Sequence, residues 1–211
     1  MRIIKLKPLS ICDTNSYIVV SDSGNCALID APDDADYIME QIDILGLDLK
    51  MILLTHGHFD HIGAVADLVE MTGCEVYIHG KDLSKLMSGD NMMSRFFGAG
   101  TVKTVKKATP ISEDDVIKLD ELEFDVLHTP GHTSGSVCYI IGDVMFSGDT
   151  LFARSIGRTD MPDGDPEVMK QSLAKICGLG GDLKIYPGHM QNTTLDHERH
   201  YNSYLTCFGV L

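Results

Sequence analysis

No stretch of this 211-residue chain approaches the roughly 18 consecutive apolar residues that a membrane span requires. The opening MRIIKLKPLSICDTNSYIVV also lacks the continuous apolar segment and small-residue cleavage site of an export signal, so a cytoplasmic location is expected. Cysteine is present, at Cys12, Cys26, Cys74, Cys138, Cys177 and Cys207, but never as a C-x-x-C pair. That spacing excludes a thiolate zinc site and offers no disulfide framework, leaving reduced, buried thiols as the expectation. Positive charge is scarce: 17 lysines and arginines face 31 acidic residues, for a formal charge of −14. The balance opposes nucleic acid and anionic membrane surfaces as partners. A small anionic substrate stays compatible with it, because bound divalent cations would concentrate positive charge locally. There is no repeat, low-complexity tract or interdomain linker, and 44% hydrophobic residues suffice for one domain over residues 1–211.

Short strand-like runs fill the first thirty residues: RIIKLK, SYIVVS and CALIDA, separated by polar or glycine-containing turns. DDADYIMEQIDILG then predicts a helix, with acidic residues at its start, Ile38, Ile42 and Leu45 at helical spacing and Gly46 as a stop. The next unit repeats the order as strand KMILLT, a histidine-rich loop, helix IGAVADLVEMTG and strand CEVYIH. Residues 80–112 carry no clear period and read as short helices with a loop. Four more strands follow in DVIKL, LEFDVLHT, SVCYIIG and VMFSG, then helix PEVMKQSLAKICG with proline in its first turn, strand LKIYP, and a last helix around LDHERHYNSYL. Two groups of strands, each with its own helices, predict two packed sheets covered outside by helices.

Histidine and aspartate recur where four of these strands end. After KMILLT come His56, His58, Asp60 and His61; after LEFDVLHTPG comes His132; after VMFSG comes Asp149; after LKIYPG comes His189. Loops at one edge of a rigid sheet can converge on a point, because the strands fix where each loop begins. Neutral imidazole suits zinc, iron and related metals, and a carboxylate can bridge two ions, so five histidines and two aspartates form a plausible dinuclear site. A single histidine at a strand end is more often a structural residue than a ligand; seven such residues at four strand ends are not explained that way. His79, His128, His197 and His200 are left as structural histidines, with His128 close enough to His132 to support it. Asp30, ending CALID, is a candidate to hydrogen-bond a ligand histidine and set its tautomer.

HGHFDH resembles the H-x-H-x-D-H signature of the metallo-β-lactamase superfamily, and His132, Asp149 and His189 match its later ligand positions in order. The resemblance implies an αβ/βα sandwich of two mixed β-sheets flanked by helices, with the metals at one edge. It implies His56, His58 and His132 on a first ion, Asp60, His61 and His189 on a second, and Asp149 bridging two divalent transition metals: zinc, or alternatively iron or manganese. Within the superfamily, TPGHTSGS, FSGDTLFARSIGRTD and YPGHMQNTTLDHER are most similar to the short bacterial members of the glyoxalase II group. That likeness implies a hydroxyacylglutathione hydrolase-like thioesterase acting on S-2-hydroxyacyl thioesters such as lactoylglutathione. The nucleophile would be a metal-bridging hydroxide, with Asp60 and Asp149 catalytic because they hold and orient it.

The chain departs from the longer enzymes of that group in two places. With few residues after HERHYNSYL, their additional helical domain is not expected, and the chain carries Arg158 and Asp160 in GRTD where they have lysine and tyrosine. Arg158 is the candidate to bind a substrate carboxylate, with an Arg158–Asp160 contact as the alternative. Met190 and Gln191 stand where short relatives usually have glycine and proline. The rival activities are a mononuclear iron persulfide dioxygenase, a lactonase or other metallo-hydrolase including a β-lactamase, and a non-catalytic metal-binding protein.

Overall fold

The computed structural model describes residues 1–10, 12–88 and 102–206. The first sheet has the order β1-β2-β3-β4-β5-β6, built from Arg2–Lys5, Tyr17–Val20, Asn25–Ile29, Asp48–Leu53, Glu75–His79 and Thr109–Ile111. Its first three strands are antiparallel and its last four run parallel, β3 belonging to both runs. The second sheet has the order β14-β13-β10-β9-β8-β7, from Thr193–Thr194, Lys184–Pro187, Val144–Gly148, Val137–Ile141, Leu122–His128 and Val116–Leu119. Only its β10–β13 pair is parallel. A short hairpin, β11 (Leu151–Phe152) and β12 (Ser155–Ile156), stands apart.

Strand side chains alternate between faces, and that alternation builds three apolar layers. Ile18, Val20, Leu28 and Ile52 turn outward from the first sheet onto Ile38 and Ile42 of α1 (Ala35–Ile44) and Val65 and Leu68 of α3 (Val65–Thr72). Their neighbours Tyr17, Val19, Ile29 and Leu53 turn inward and meet Phe124, Val126, Tyr139 and Phe146 of the second sheet. On the far side Cys138, Met145 and Ile185 pack on Met169, Leu173 and Ile176 of α5 (Pro166–Cys177) and Leu195 of α6 (Leu195–Tyr201). The result is the αβ/βα sandwich of two mixed sheets that the sequence predicts.

Local chemistry sets the helix ends. Asp34 accepts from the Tyr37 amide to start α1, Asp165 accepts from Glu167 and Val168 with Pro166 in the first turn of α5, and Thr194 accepts from His197 at α6. One expected boundary moves. The helix expected from Ile62 starts at Val65, because the histidine loop folds its own turn, α2 (Phe59–Ile62), and is then pinned to the first sheet. Ala31 donates to the His61 carbonyl and accepts from the Ala64 amide, at 2.9 and 3.0 Å. In the poorly patterned stretch, α4 (Leu83–Ser88) and edge strand β6 are formed; β6 was not predicted, and its Pro110 is tolerated at an edge. The rest of that stretch, residues 89–101, lies outside the described residues. Among those described, no helix is long and apolar enough to cross a membrane, and the five cysteines are free thiols.

Candidate metal centre

Strand pairing brings the four ligand-bearing ends to one edge. Parallel pairing aligns Ile29 with Leu53, so Asp30 emerges beside Thr55 and the histidine loop. In the other sheet Gly148 pairs with Pro187, so Asp149 and His189 leave from neighbouring strands. Hydrogen bonds then lock the sheets together at this edge: Tyr17 Oη donates to the Pro187 carbonyl at 2.8 Å, Val137 N to Thr55 O at 2.8 Å, and Asn15 N to Gly188 O at 2.7 Å.

All seven candidate ligands meet there. His56 Nε2 lies 3.1 Å from His58 Nδ1, which lies 2.9 Å from His132 Nε2. Asp149 stands between this group and the rest, with its carboxylate 3.5 Å from His132 Nε2, 3.4 Å from His61 Nε2 and 3.3 Å from His189 Nε2. Asp60 completes the far side, 3.9 Å from His61 Nε2 and 3.5 Å from His189 Nε2. His56, His58 and His132 form one potential metal-binding triad; Asp60, His61 and His189 form another.

Hydrogen bonds away from the centre decide which ring nitrogens carry protons. Asp30 can only accept, so His61 Nδ1 donates to it at 2.8 Å. Carbonyls impose the same role on His132 Nδ1, which donates to Arg158 O at 2.8 Å, and on His189 Nδ1, which donates to Cys12 O at 3.1 Å. The Thr55 hydroxyl gives its one proton to Asp30 at 2.8 Å, so toward His56 Nδ1, 3.2 Å away, it accepts. Four of the five rings therefore turn Nε2 inward, and it is the lone pair on that atom in the neutral ring that would ligate metal.

The two triads differ electrostatically. Burial holds His56 well below the usual histidine range, with its imidazole neighbours adding to the effect. Burial likewise takes His58 down to about 3, helped by His132 and Lys85. In the other triad burial opposes protonation but loses to charge. Asp149, Asp30 and Asp60 hold His61 well above the ordinary range, and bonds to Asp149 and Asp60 hold His189 at about 9. Burial also opposes ionisation of the two carboxylates; His61 and His189 nonetheless keep Asp60 at about 2 and Asp149 well below the normal value.

The residues present fit metal ions. Among the described residues, His61 Nε2 and Asp149 Oδ1 are buried and find no hydrogen-bond partner, a condition that costs about 1–3 kcal/mol per group and that a shared cation relieves. Gly188 shows how closely the chain wraps the centre, since a Cβ there would sit 2.3 Å from Asp149 Oδ1 and 2.7 Å from His61 Cε1. The chemistry of the donors, five imidazoles and two carboxylates, suits zinc, iron or manganese.

Known proteins resemble this chain. The sequence profile of the metallo-beta-lactamase superfamily matches residues 9–189. The chain belongs to the metallo-β-lactamase superfamily. Hydroxyacylglutathione hydrolase GloC of Haemophilus influenzae is 34% identical to it over 206 residues, covering 96% of this chain and 97% of that protein. The crystal structure of BLEG-1 B3 metallo-beta-lactamase superposes with a TM-score of 0.90 at 35% identity, covering 97% of this chain and all of the other. TTHA1623 in a di-iron-bound form superposes with a TM-score of 0.87 at 36% identity, covering 96% of this chain and 100% of that one. This metallo-β-lactamase-fold protein thus belongs to a superfamily of metallo-hydrolases and carries a His/Asp cluster suited to metal.

Three site expectations remain to be placed. Asp30 contacts the centre through His61 and Thr55. His128 reaches the loop that follows His132 rather than His132 itself. It shares the parity of Phe124 and Val126 along β8 and so turns between the sheets, where it stacks on His79 with ring centroids 4.1 Å apart and donates Nε2 to Ser134 O. Arg158 lines the cavity over the centre, but its guanidinium makes two hydrogen bonds to Asp160, at 2.7 and 2.9 Å. That cavity is about 620 Å³ and has Phe59, Phe152, Met161 and Met190 in its walls. A larger one of about 830 Å³, between α3, β5 and residues 103–109, contains none of the ligands. Several supports were not anticipated: the Cys12 and Arg158 carbonyls, Thr14, which donates to Asp60 Oδ2 at 3.2 Å, and buried Asp82. The first two act through backbone atoms, which no residue-type pattern marks.

Proposed function

We propose that this protein is a dinuclear metal-dependent thioesterase of the glyoxalase II type, hydrolysing S-2-hydroxyacyl thioesters such as lactoylglutathione. The observation that carries the proposal is the convergence of the full seven-residue set, with four imidazole Nε2 atoms fixed inward, beneath an open cavity with apolar walls. Similarity to hydroxyacylglutathione hydrolase GloC supports the thioester, and similarity to a di-iron-bound protein supports two ions, zinc or iron. His56, His58 and His132 would hold one ion, Asp60, His61 and His189 the other, with Asp149 shared.

Such ions supply Lewis acidity for an acyl carbonyl and lower the pKa of coordinated water toward roughly 7. The chain's own residues do the rest. Asp60 and Asp149 provide the negative charge that retains the cations, and Asp30 and the Cys12 and Arg158 carbonyls keep His61, His189 and His132 turned inward. Thr14 orients the Asp60 carboxylate. The cavity also offers the Cys12 thiol, which burial and the Asp60 charge push up to about 11 in the metal-free site. The −14 charge supports a small-molecule substrate over nucleic acid or membrane, and with the free thiols it supports a cytoplasmic setting.

The test is a substrate panel on metal-loaded and chelated protein: lactoylglutathione, a second 2-hydroxyacyl thioester, a lactone, a β-lactam, and a persulfide with oxygen uptake recorded. Thioester hydrolysis that exceeds the others in kcat/KM and disappears on chelation is the expected result. Oxygen uptake with the persulfide as the dominant activity would replace the proposal with a dioxygenase, and an inert metal-loaded protein would leave a binding role.

A further inference from the structure

Asp82 lies outside the ligand set and is completely buried. Its two carboxylate oxygens take four donors, which fills the acceptor capacity of the group. The Gly57 amide donates at 2.7 Å, Thr133 Oγ1 at 2.8 Å, the Gly135 amide at 3.1 Å and Lys85 Nζ at 2.7 Å. Gly57 sits between His56 and His58, while Thr133 and Gly135 follow His132 directly. A Cβ on Gly135 would fall 2.5 Å from Asp82 Oδ1, so that loop is shaped to the carboxylate.

We infer that Asp82 is the positioning residue of the histidine triad, cross-linking the loop that carries His56 and His58 to the loop that carries His132. Without that link the two loops meet at the centre from different sheets, and the imidazole spacings of 2.9–3.1 Å depend on their relative placement. The carboxylate has a second effect. Lys85 brings a positive charge toward His58, and Asp82, together with Asp163 on the other side of the ammonium, balances it. The other triad rests on different groups: Asp30 for His61, Thr14 for Asp60 and the Cys12 carbonyl for His189. Loss of Asp82 therefore acts on one ion and not on both. The inference rests on the two-ion reading of the centre.

The experiment titrates metal-free full-length protein with Co²⁺ against a chromophoric chelator, following the visible ligand-field bands, for wild type, Asp82→Asn, Thr133→Val, His132→Ala and Asp60→Ala. In Asp82→Asn the binding component that His132→Ala removes should weaken by about tenfold or more. The component that Asp60→Ala removes should stay within about twofold. Thr133→Val, which deletes one donor and keeps the charge, should shift the same component by less. Equal weakening of both components, no weakening, or loss of the Asp60 component alone overturns the role. If Asp82→Asn does not fold, Thr133→Val decides it, and an unshifted first component counts against Asp82. A wild type that takes one ion overturns the two-ion reading instead. Asp82 is then judged on that ion: the role stands if His132→Ala abolishes it and Asp82→Asn weakens it, and falls otherwise.

Discussion

The two halves of the centre use the same side chain to opposite ends. In the triad that His56 and His58 form with His132, burial governs those two, whose imidazoles are neutral; in that of Asp60, His61 and His189, His61, equally deep, and His189 are held in the protonated form. The difference is the number of carboxylates in reach. At an effective dielectric of about 20, opposite charges 3.4 Å apart attract by roughly 5 kcal/mol, against a burial penalty of several kcal/mol for the ion. One carboxylate about offsets burial, and the three around His61, from Asp30, Asp60 and Asp149, exceed it. His56 and His58 are thus poised to accept a cation as they stand, whereas His61 and His189 hold protons in the place of one.

The largest effect should come from breaking the link between the halves. Asp149 reaches His132 on one side and His61 and His189 on the other, so Asp149→Ala should lower hydrolysis by at least about a hundredfold and reduce bound metal below two ions per chain. Asp149→Asn should fail nearly as badly, since an amide brings no negative charge. Kinetics paired with elemental analysis check this, and near-normal turnover in the alanine variant would show that the halves are not one centre.

A smaller but sharper effect lies in pH. An ion arriving at His189 must displace a proton at any pH below about 9, so affinity of the second triad should rise by up to about tenfold per pH unit for that proton and level off near 9. His58, at about 3, and His56, also lowered, give no such dependence between pH 6 and 8, so the first triad should release fewer protons than the second. For the metal-free fold the sign reverses. The raised His189 adds stability that is complete below 6.5 and lost as pH climbs through about 9; the lowered Asp60 adds stability present above 3.8 and lost as pH falls toward 2. Metal-free protein should therefore unfold at a lower temperature at pH 9 than at pH 6. Calorimetric metal titrations in two buffers of different ionisation enthalpy count the protons; equal release by both ions would erase the contrast.

How much of this was readable beforehand follows the same division between pattern and environment. Strand ends and ligand types are local properties, so His56 through His61, His132, Asp149 and His189 could be picked out from runs such as KMILLT and VMFSG, and the two-sheet layering followed from the strand grouping. His128 meets the His132 loop only at the Ser134 carbonyl, because strand alternation turns its ring toward His79, which sequence distance does not reveal. Asp82 carried no signal, since its partners include backbone amides from loops 25 and 53 positions away. The opposite protonation of His56 and His58 against His61 and His189 was equally hidden, because it depends on which carboxylates the fold delivers to each ring.

Arg158 lies at the rim, outside both halves, and should have the smallest effect. Its side chain is about half exposed and its fork is taken by Asp160, which is more exposed still. An ion pair so open to solvent contributes little to folding, so Arg158→Ala should leave the melting temperature nearly unchanged. Metal content should also hold, because the group that orients His132 is the Arg158 carbonyl, which the substitution retains. The remaining question is substrate. If the guanidinium left Asp160 to grip a carboxylate of a glutathione thioester, its removal would cost about ten- to a hundredfold in kcat/KM, the usual loss of a charged hydrogen bond. We expect less than about fivefold, and an equal change for the same acyl group on a neutral thiol, because Asp160 already satisfies both arms of the fork. Asp160→Asn is the converse variant: by freeing Arg158 it should raise the preference for the glutathione thioester. A large, glutathione-specific loss in Arg158→Ala would show that the pair opens when substrate binds, and that the rim discriminates by charge.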